Sequence, residues 1–462
     1  MRAFPLVAAF LVTAVSANSP GGWLSASNSL FPVINPIVNQ EVNSMIMTIQ
    51  IPDVDTTEGS FDFTLSSLHF LQWSCDDCLA LSLNGNQVQL SANGLSAQLN
   101  MDYSAKWHFL HHSGNCQPAL SDMTLTADVA FGPISNGVPS VIVSNVQLDW
   151  QHVSLHCGGI LGSILDALGV LLNTGIAKTE IQRHVVPMLE SKVQRTINRM
   201  LGGLSLQFRI NNGFAIADFS VLSTSLSSSA ATLGVAAVLV PSSNPNINFP
   251  FPAPSVYDSC SGGMVNIGLS TYTFRTATYT YYQAGNLAFT KPAAIKAKDV
   301  ELLLPGFVLA GGANSLLNFT VSALNAGAFY TLQSENALQF VMPMRTVLNG
   351  VNATVFDMHA TATATLSVNV TSGASPSVFV GVLGLALANA TVAHSNVGGW
   401  STVPAILSLL DGIIRTAVLP LVDSFLHQHG FPLPTMMGYG IQNPFVSFVD
   451  NSICVAANLG HV

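Results

Sequence analysis

The sequence predicts an α+β protein in which one helix, sheet, helix module occurs twice. Three patterns predict it. Apolar residues recur at intervals of three and four near the ends of each half, and the segments between them alternate apolar and polar residues with period two. A Pro-rich stretch over residues 241–255 then separates the halves. The repetition lies in the order of elements and not in residue identity.

Taken in order, Arg2 precedes an apolar run from Phe4 to Val15 and the small-residue site Val15-Ser16-Ala17. This reads as a secretory signal peptide over residues 1–17, cleaved before Asn18. As an anchor helix the run is short, and it ends in Asn18-Ser19-Pro20-Gly21-Gly22. From Leu30, the residues Val33, Ile34, Ile37, Val38, Val42 and Met45 form one stripe of an amphipathic helix that Asn28 or Ser29 could cap. Ile51-Pro52-Asp53 ends it. Alternating segments follow at Leu79–Leu83, Val88–Leu90 after an Asn84-Gly85 turn, Leu95–Tyr103, Thr124–Phe131 and Val141–Leu155, the pattern of antiparallel hairpins.

Gly158 to Leu201 returns to helical spacing, with Ile160, Leu161, Ile164, Leu165, Leu168, Leu171 and Leu172 on one face and a kink expected at Pro187. Six of the 14 basic residues fall between Lys178 and Arg209 and read as the solvated face of that helix. The domains expected are therefore 18–240, a linker over 241–255 and 256–462. In the second half the sequence predicts a short helix near Gly263–Gly285, strands from Val300 through Val392, and a long apolar helix from Val403 to His427.

Composition narrows the function. Only 8% of the chain is charged and 49% is hydrophobic, against about 25% charged in an average soluble protein. Past the N-terminus no uninterrupted apolar run reaches the ~18 residues that would span a bilayer. The excess apolar content points to lipid held in a fold. From Asn18 to Ala177 twelve acidic residues face a single base, Lys106, whereas from Lys178 onward eleven acids meet twelve bases. Such a first half argues against nucleic acid and against a polybasic grip on anionic head groups, and leaves neutral or zwitterionic lipid.

Six cysteines (Cys75, Cys78, Cys116, Cys157, Cys260 and Cys454) and four glycosylation sequons, at Asn318, Asn352, Asn369 and Asn389, agree with a secreted, extracellular protein. Spacing alone leaves the connectivity open. The pairing preferred is Cys75 with Cys78, Cys116 with Cys157 and Cys260 with Cys454. Cys75-Asp76-Asp77-Cys78 could also be half of a zinc site or a redox pair, but no second such motif accompanies it. Sequons crowded into the C-terminal half would, if used, coat that surface with sugar and argue against its being the face that meets a membrane or partner.

Nothing in the sequence points to an enzyme: there is no Gly-x-Ser-x-Gly elbow, no Gly-rich phosphate loop and no His-Glu-x-x-His site. No cofactor is called for. His108, His111 and His112 form the one local cluster and read as a surface loop without a carboxylate to complete a metal site. His427 and His429 suit a helix C-terminus.

A groove between a helix stripe and a sheet face gains about 0.8 kcal/mol for each methylene it takes from water, so it can hold acyl chains without charged contacts. The lining candidates in the N-terminal half are Val33, Ile37, Val38, Val42 and Met45, with Leu161, Ile164, Leu168 and Leu172. In the C-terminal half they are Leu269, Tyr272, Phe274, Ile406, Leu409, Leu410 and Ile413.

Specific residues also carry a family resemblance. Met264-Val265-Asn266-Ile267-Gly268-Leu269-Ser270, with Tyr272, Phe274, Thr276-Ala277 and Ala284-Gly285 after it, resembles the opening of the C-terminal domain in the bactericidal/permeability-increasing protein family. That family includes the lipopolysaccharide-binding, phospholipid transfer and cholesteryl ester transfer proteins. Ser395-Asn396-Val397-Gly398 and Gly430-Phe431-Pro432-Leu433-Pro434 are similar to its C-terminal signature, and Ile51-Pro52-Asp53 to its N-terminal counterpart. The resemblance implies an elongated boomerang of two pseudo-symmetric barrel-like domains joined by a central antiparallel sheet, with an apolar lipid pocket in each. Phe445–Ala457 would be the last strand, returning to the central sheet. It implies phospholipid or other acyl lipids as partners, transient contact with a membrane or lipid particle, and, as alternatives, a host-defence protein of innate immunity that binds bacterial lipopolysaccharide or a structural, adhesive glycoprotein. The near absence of bases in the first half departs from the antibacterial members, whose N-terminal tip is basic. The cysteine placement departs too, since Cys157 lies before the long helix.

Overall fold

The computed structural model describes residues 20–58, 60–75, 78–108, 110–158, 162–173, 176–203, 206–210, 213–253, 262–327, 329–333, 337–373, 377–398, 408, 411–412, 431–432, 439–449 and 452–461. Among them the chain is mixed helix and antiparallel sheet, and no helix is long and apolar enough to cross a membrane. The signal peptide expected over 1–17, Cys260, His427 and His429 lie outside the described residues. Of the helix expected over Val403–His427, only Ser408, Asp411 and Gly412 are described, and all three are helical.

In chain order the first elements are β1 (Gly22–Ser27), α1 (Phe31–Ile46), β2 (Val54–Glu58), β3 (Phe61–Ser74), β4 (Leu79–Asn84), β5 (Gln87–Trp107), β6 (Leu110–Phe131), β7 (Val141–Asp149), β8 (His152–Cys157), α2 (Gly162–Asn173) and α3 (Ile176–Gly202). Short strands follow: β9 (Gln207–Ile210), β10 (Ala215–Asp218), β11 (Val221–Leu226), β12 (Ala230–Val235) and β13 (Val238–Pro241). Then come β14 (Val265–Ser270), α4 (Thr271–Gln283), β15 (Ala288–Lys296), α5 (Gly306–Gly311), β16 (Leu316–Ala323), β17 (Phe329–Gln333), β18 (Ala337–Asn349), β19 (Val355–Val370) and β20 (Ser377–Ser395). The chain closes with β21 (Phe431–Pro432), β22 (Tyr439–Val449) and β23 (Ser452–His461). Two compact units result. The first holds Ser25–Leu204 and Ser223–Leu233, and the second holds Ala17–Leu24, Ser205–Leu222 and Gly234–Val462.

The first unit is built on an antiparallel sheet ordered β2-β3-β5-β6-β7, with β4 paired to β5 and β8 to β6. Its longest strand reveals a phase change. Val88, Leu90 and Ala92 are buried at even positions, and Leu95, Ala97, Leu99, Met101 and Tyr103 at odd ones. One extra residue accounts for this, because the pairing with β6 shifts between Asn93 and Leu95, and Gly94 there takes a φ of 73° that favours glycine. The segments that look separate in sequence are therefore one bulged strand.

Helix α1 runs from Phe31 to Ile46 and buries Ile34, Val38, Val42 and Ile46. The cap expected from Asn28 or Ser29 is corrected: these residues lie in a 3-10 turn, and the helix starts with no side-chain cap. The Asn28 side chain instead accepts the Leu83 amide at 3.3 Å and donates to the Ser228 carbonyl at 2.8 Å. The single helix expected over Gly158–Leu201 is two helices, and Pro187 sits inside the continuous α3. This helix covers the free edge of β7, where the Gln194 and Asn198 amides bond the backbone of Val143 and Val141. Disulfides join Cys75 to Cys78 and Cys116 to Cys157, the latter directly across β6 and β8.

In the second unit, a sheet ordered β15-β16-β18-β19-β20-β21 carries β17 on β18, and a small sheet has the order β13-β10-β9. The short helix expected near Gly263–Gly285 is confined to α4, since Val265–Ser270 pairs with β23 as a strand. Phe445–Ala457, read from sequence as one terminal strand, belongs to two: β22 and β23 form a hairpin, and β23 lies between β22 and β14. Cys454 on β23 is disulfide-bonded. Helix α4 packs through hydroxyls: Thr273 donates to the Gly21 carbonyl, and Thr280 to that of Leu239. On the same helix, Tyr272 and Tyr279 meet the rings of Phe249 and Phe251, so the Pro-rich stretch is seated on α4 at these two residues. Burial raises the Tyr272 phenol above its usual range.

Candidate functional site

In the first unit, α1 and α3 lie over the face of the β5, β6 and β7 ladder. Between them is a cleft. Val42, Met45 and Ile46 wall it from α1, and Ile49 from the segment just beyond. Leu90, Leu125, Ala127, Val129, Val143 and Val146 form the sheet side, and Leu189, Lys192 and Val193 of α3 complete it. The cleft measures about 20 Å³, little more than one water needs and far below the roughly 300 Å³ of a small ligand pocket. An acyl chain can enter only by parting α1 and α3 from the sheet.

Lys192 contributes the one charge on this lining, and its Nζ is turned away to donate to the Thr48 carbonyl and hydroxyl, both at 2.8 Å. A cation at the C-terminal end of α1 is favoured by the helix dipole. The cleft thus has apolar walls, a cation at its edge and no nucleophile or acid and base pair.

Of the candidates from α1, Val42 and Met45 line the cleft, Val38 is buried on the same helix, Val33 is half-buried, and the Ile37 side chain lies outside the described residues. Ile164, Leu168 and Leu172 of α2 are buried away from it. There the Trp150 indole donates to the Leu172 carbonyl at 2.9 Å. Leu161 lies outside the described residues. In the second unit Leu269, Tyr272 and Phe274 are half-buried, with Phe274 packed on the core of Leu338, Val368, Val446, Ile453 and Val455. Ile406, Leu409, Leu410 and Ile413 lie outside the described residues. All four sequon asparagines are exposed.

Sequence reading missed Leu189 and Val193. Their signal is the four-residue spacing Ile181, Val185, Leu189, Val193, which the surrounding basic residues mask. The histidines are likewise better placed than their spacing suggests. His111 and His112 belong to β6, not to a loop, and point to opposite faces of the strand. His112 pairs with the Tyr103 hydroxyl at 2.9 Å and His111 with the Ser104 hydroxyl at 2.8 Å. Among the described residues no group of three His, Cys, Asp or Glu side chains could hold a metal ion.

A curled antiparallel sheet closed by long helices over an apolar interior, followed by a second sheet-rich unit, defines an α+β protein of the bactericidal/permeability-increasing type. The C-terminal domain of the LBP / BPI / CETP family matches residues 237–461, and this part of the chain belongs to that family. The lipopolysaccharide-binding protein of Oryctolagus cuniculus is 22% identical over 82% of this chain and 80% of its own length. The bactericidal permeability-increasing protein of Rattus norvegicus is 22% identical over 91% of this chain and 89% of its own. The BPI fold-containing family C protein of Mus musculus is 21% identical, covering 95% and 91%. A crystal structure of lipopolysaccharide binding protein superposes with a TM-score of 0.60 over 96% of this chain and 99% of that one, at 16% identity, which establishes the shared fold.

Proposed function

We propose that this protein is a secreted, non-enzymatic lipid-binding and lipid-transfer protein that takes phospholipid or another acyl lipid by its tails. The observation that carries this reading is the cleft between α1, α3 and the sheet, walled by apolar side chains with Lys192 alone at its edge. Family membership supports lipid binding in general. The second unit, with its half-buried Leu269, Tyr272 and Phe274, is the proposed place of a further apolar site.

Entry of a chain would exchange helix-to-sheet contacts for contacts with lipid. Each methylene leaving water contributes about 0.8 kcal/mol, so a long acyl chain outweighs a few displaced side-chain contacts. The reading is tested by purifying the protein from a eukaryotic secretory host, extracting it and identifying lipids by mass spectrometry. Bound acyl lipid is the expected result, and Ala127→Trp, which fills the cleft from the sheet side, should lower its amount. A lipid-free protein that also fails to move labelled phospholipid between vesicles sinks the carrier reading.

Two relatives named for lipopolysaccharide favour a second reading, a host-defence protein that binds this glycolipid. Its phosphates would need cations, and the N-terminal half from Asn18 to Ala177 has only Lys106. Endotoxin binding that weakens steeply with salt would promote this reading above the first.

A further inference from the structure

The most exposed large apolar side chains of the described residues are Leu302, 94% exposed, and Leu309, 86% exposed. Both belong to the second unit and to one loop, 297–315, which joins β15 to β16 and contains α5. Leu316, where β16 begins, is 50% exposed and Val351, in the turn between β18 and β19, is 43% exposed. The turn and loop are adjacent: the Asn352 amide donates to the Ala310 carbonyl at 2.9 Å, and a Cβ on Gly311 would strike the Val351 side chain.

The loop is held from beneath. Val300, Leu304 and Phe307 are at most 1% exposed and pack with Leu317, Leu348 and Phe356 in the core of this unit. Ala297 and Lys298 donate to the carbonyls of Ser315 and Ala313, closing the base of the loop. Gly306 lies so close to the Val397 backbone that no Cβ fits. With Val300, Leu304 and Phe307 anchored inward, Leu302 and Leu309 between and beyond them are turned outward. The core that fixes them shows that the protrusion is built and not frayed.

Around these leucines the charges balance. Lys296 and Lys298 are exposed, with Lys296 directly across from Leu316 in the β15–β16 register, and Asp299 and Glu301 are exposed beside them. Two cations and two carboxylates match a surface that carries phosphate and quaternary ammonium together. Leucines that stand free of neighbours offer no groove to a peptide, but fluid hydrocarbon can close around them.

We propose that this end of the second unit docks on a zwitterionic phospholipid surface, with Leu302 and Leu309 entering the acyl boundary and Lys296, Lys298, Asp299 and Glu301 at head-group level. The proposal rests on the lipid-carrier reading and names the contact through which such a carrier meets its membrane. It also requires the Asn352 sequon to be unused, because a glycan there would stand beside Leu309.

The test is flotation of the full chain with phosphatidylcholine vesicles. Wild type should float and should keep doing so in high salt, whereas L302S/L309S should lose at least about tenfold in vesicle affinity. The double variant should retain its thermal midpoint and its extractable lipid, since neither leucine supports the core or the cleft. A protein with normal bound lipid that ignores these vesicles, or a double variant that floats like wild type, overturns the docking and leaves the carrier reading intact. Dimerisation of wild type that the double variant abolishes would assign the leucines to a second copy of the chain and also overturn it. Peptide mass spectrometry should find Asn352 bare, and an occupied site refutes the proposal. As an independent check, L309W should shift its fluorescence to the blue on meeting vesicles, and an unchanged spectrum counts against insertion.

Discussion

At the scale of single residues, Gly268 shows how tightly the second unit restricts its backbone. It lies opposite Cys454 on β23, and a Cβ added to it would fall within the indole of Trp23, itself 6% exposed. Neither partner can retreat, because Trp23 is on β1 and Gly268 on β14. Gly268→Ala should therefore cost about 1–3 kcal/mol by overpacking, read as a lower urea midpoint at unchanged slope. Adding Trp23→Leu should recover part of the loss, since the two substitutions share one contact. A single variant as stable as wild type would show that the strands slide apart easily. This glycine stands in the motif that carries the family resemblance, and its role there is steric.

Between elements, the ion pair joining β7 to α3 makes a prediction about acid. Lys178 Nζ donates to Asp149 Oδ1 at 2.6 Å and to the Trp150 carbonyl at 2.7 Å, and it lies 5.2 Å from the centre of the Trp150 ring. The Lys178 hydrogen bond, aided by the Trp150 amide, the Lys178 charge and Gln182, holds the Asp149 carboxyl below its ordinary value against partial desolvation. Its folded pKa is thus depressed. The stabilisation is fully present above the unfolded value of about 4 and disappears as pH falls through the lower folded value. The Asp149 side chain is 59% exposed, which limits the contribution to less than about 1 kcal/mol. Asp149→Asn should be less stable than wild type near neutral pH and indistinguishable from it near pH 2, by urea unfolding at each pH. An equal deficit at both would refute the ion-pair account.

Elements also show what was legible in the chain. The α1 stripe was readable because one apolar face repeats at three and four, although the helix ends at Ile46, before the Ile51-Pro52 break. By contrast, the phase of β5 was hidden, because a bulge at Gly94 reverses inside and outside halfway along and makes one strand look like two. The division between α2 and α3 was hidden by apolar periodicity continuing on both sides of it. The cleft was half visible: Val42 and Met45 stand out on an amphipathic helix, whereas Ala127 and Val129 become a wall only when they pair across the β5–β6 hairpin with Leu90 and Val88, positions more than thirty residues away in sequence. No local pattern marks an outward leucine as functional either, since Leu302 and Leu309 sit among buried apolar neighbours in one apolar stretch.

For the whole molecule, local pairings can form during synthesis while pairings of the earliest strand must wait. Strands β5 and β6 turn back on each other at 107–110 and can zip from that end as soon as they emerge. At the other extreme, Ser270 donates both its amide and its hydroxyl to the Gly21 carbonyl across 249 positions, and Met264 bonds Asn458 across 194. Closing such distant segments is slow. Pulse-labelled hydrogen exchange during refolding should therefore protect the β5–β6 amides well before those of Gly21, Ser270 and β23, and simultaneous protection would contradict this order. The consequence belongs to biogenesis: β1 leaves the ribosome long before its partner β14. Until β14 emerges, Gly22–Leu24 must wait with ladder groups unpaired, so quality control in the compartment of folding has one early strand to shield for more than half of translation.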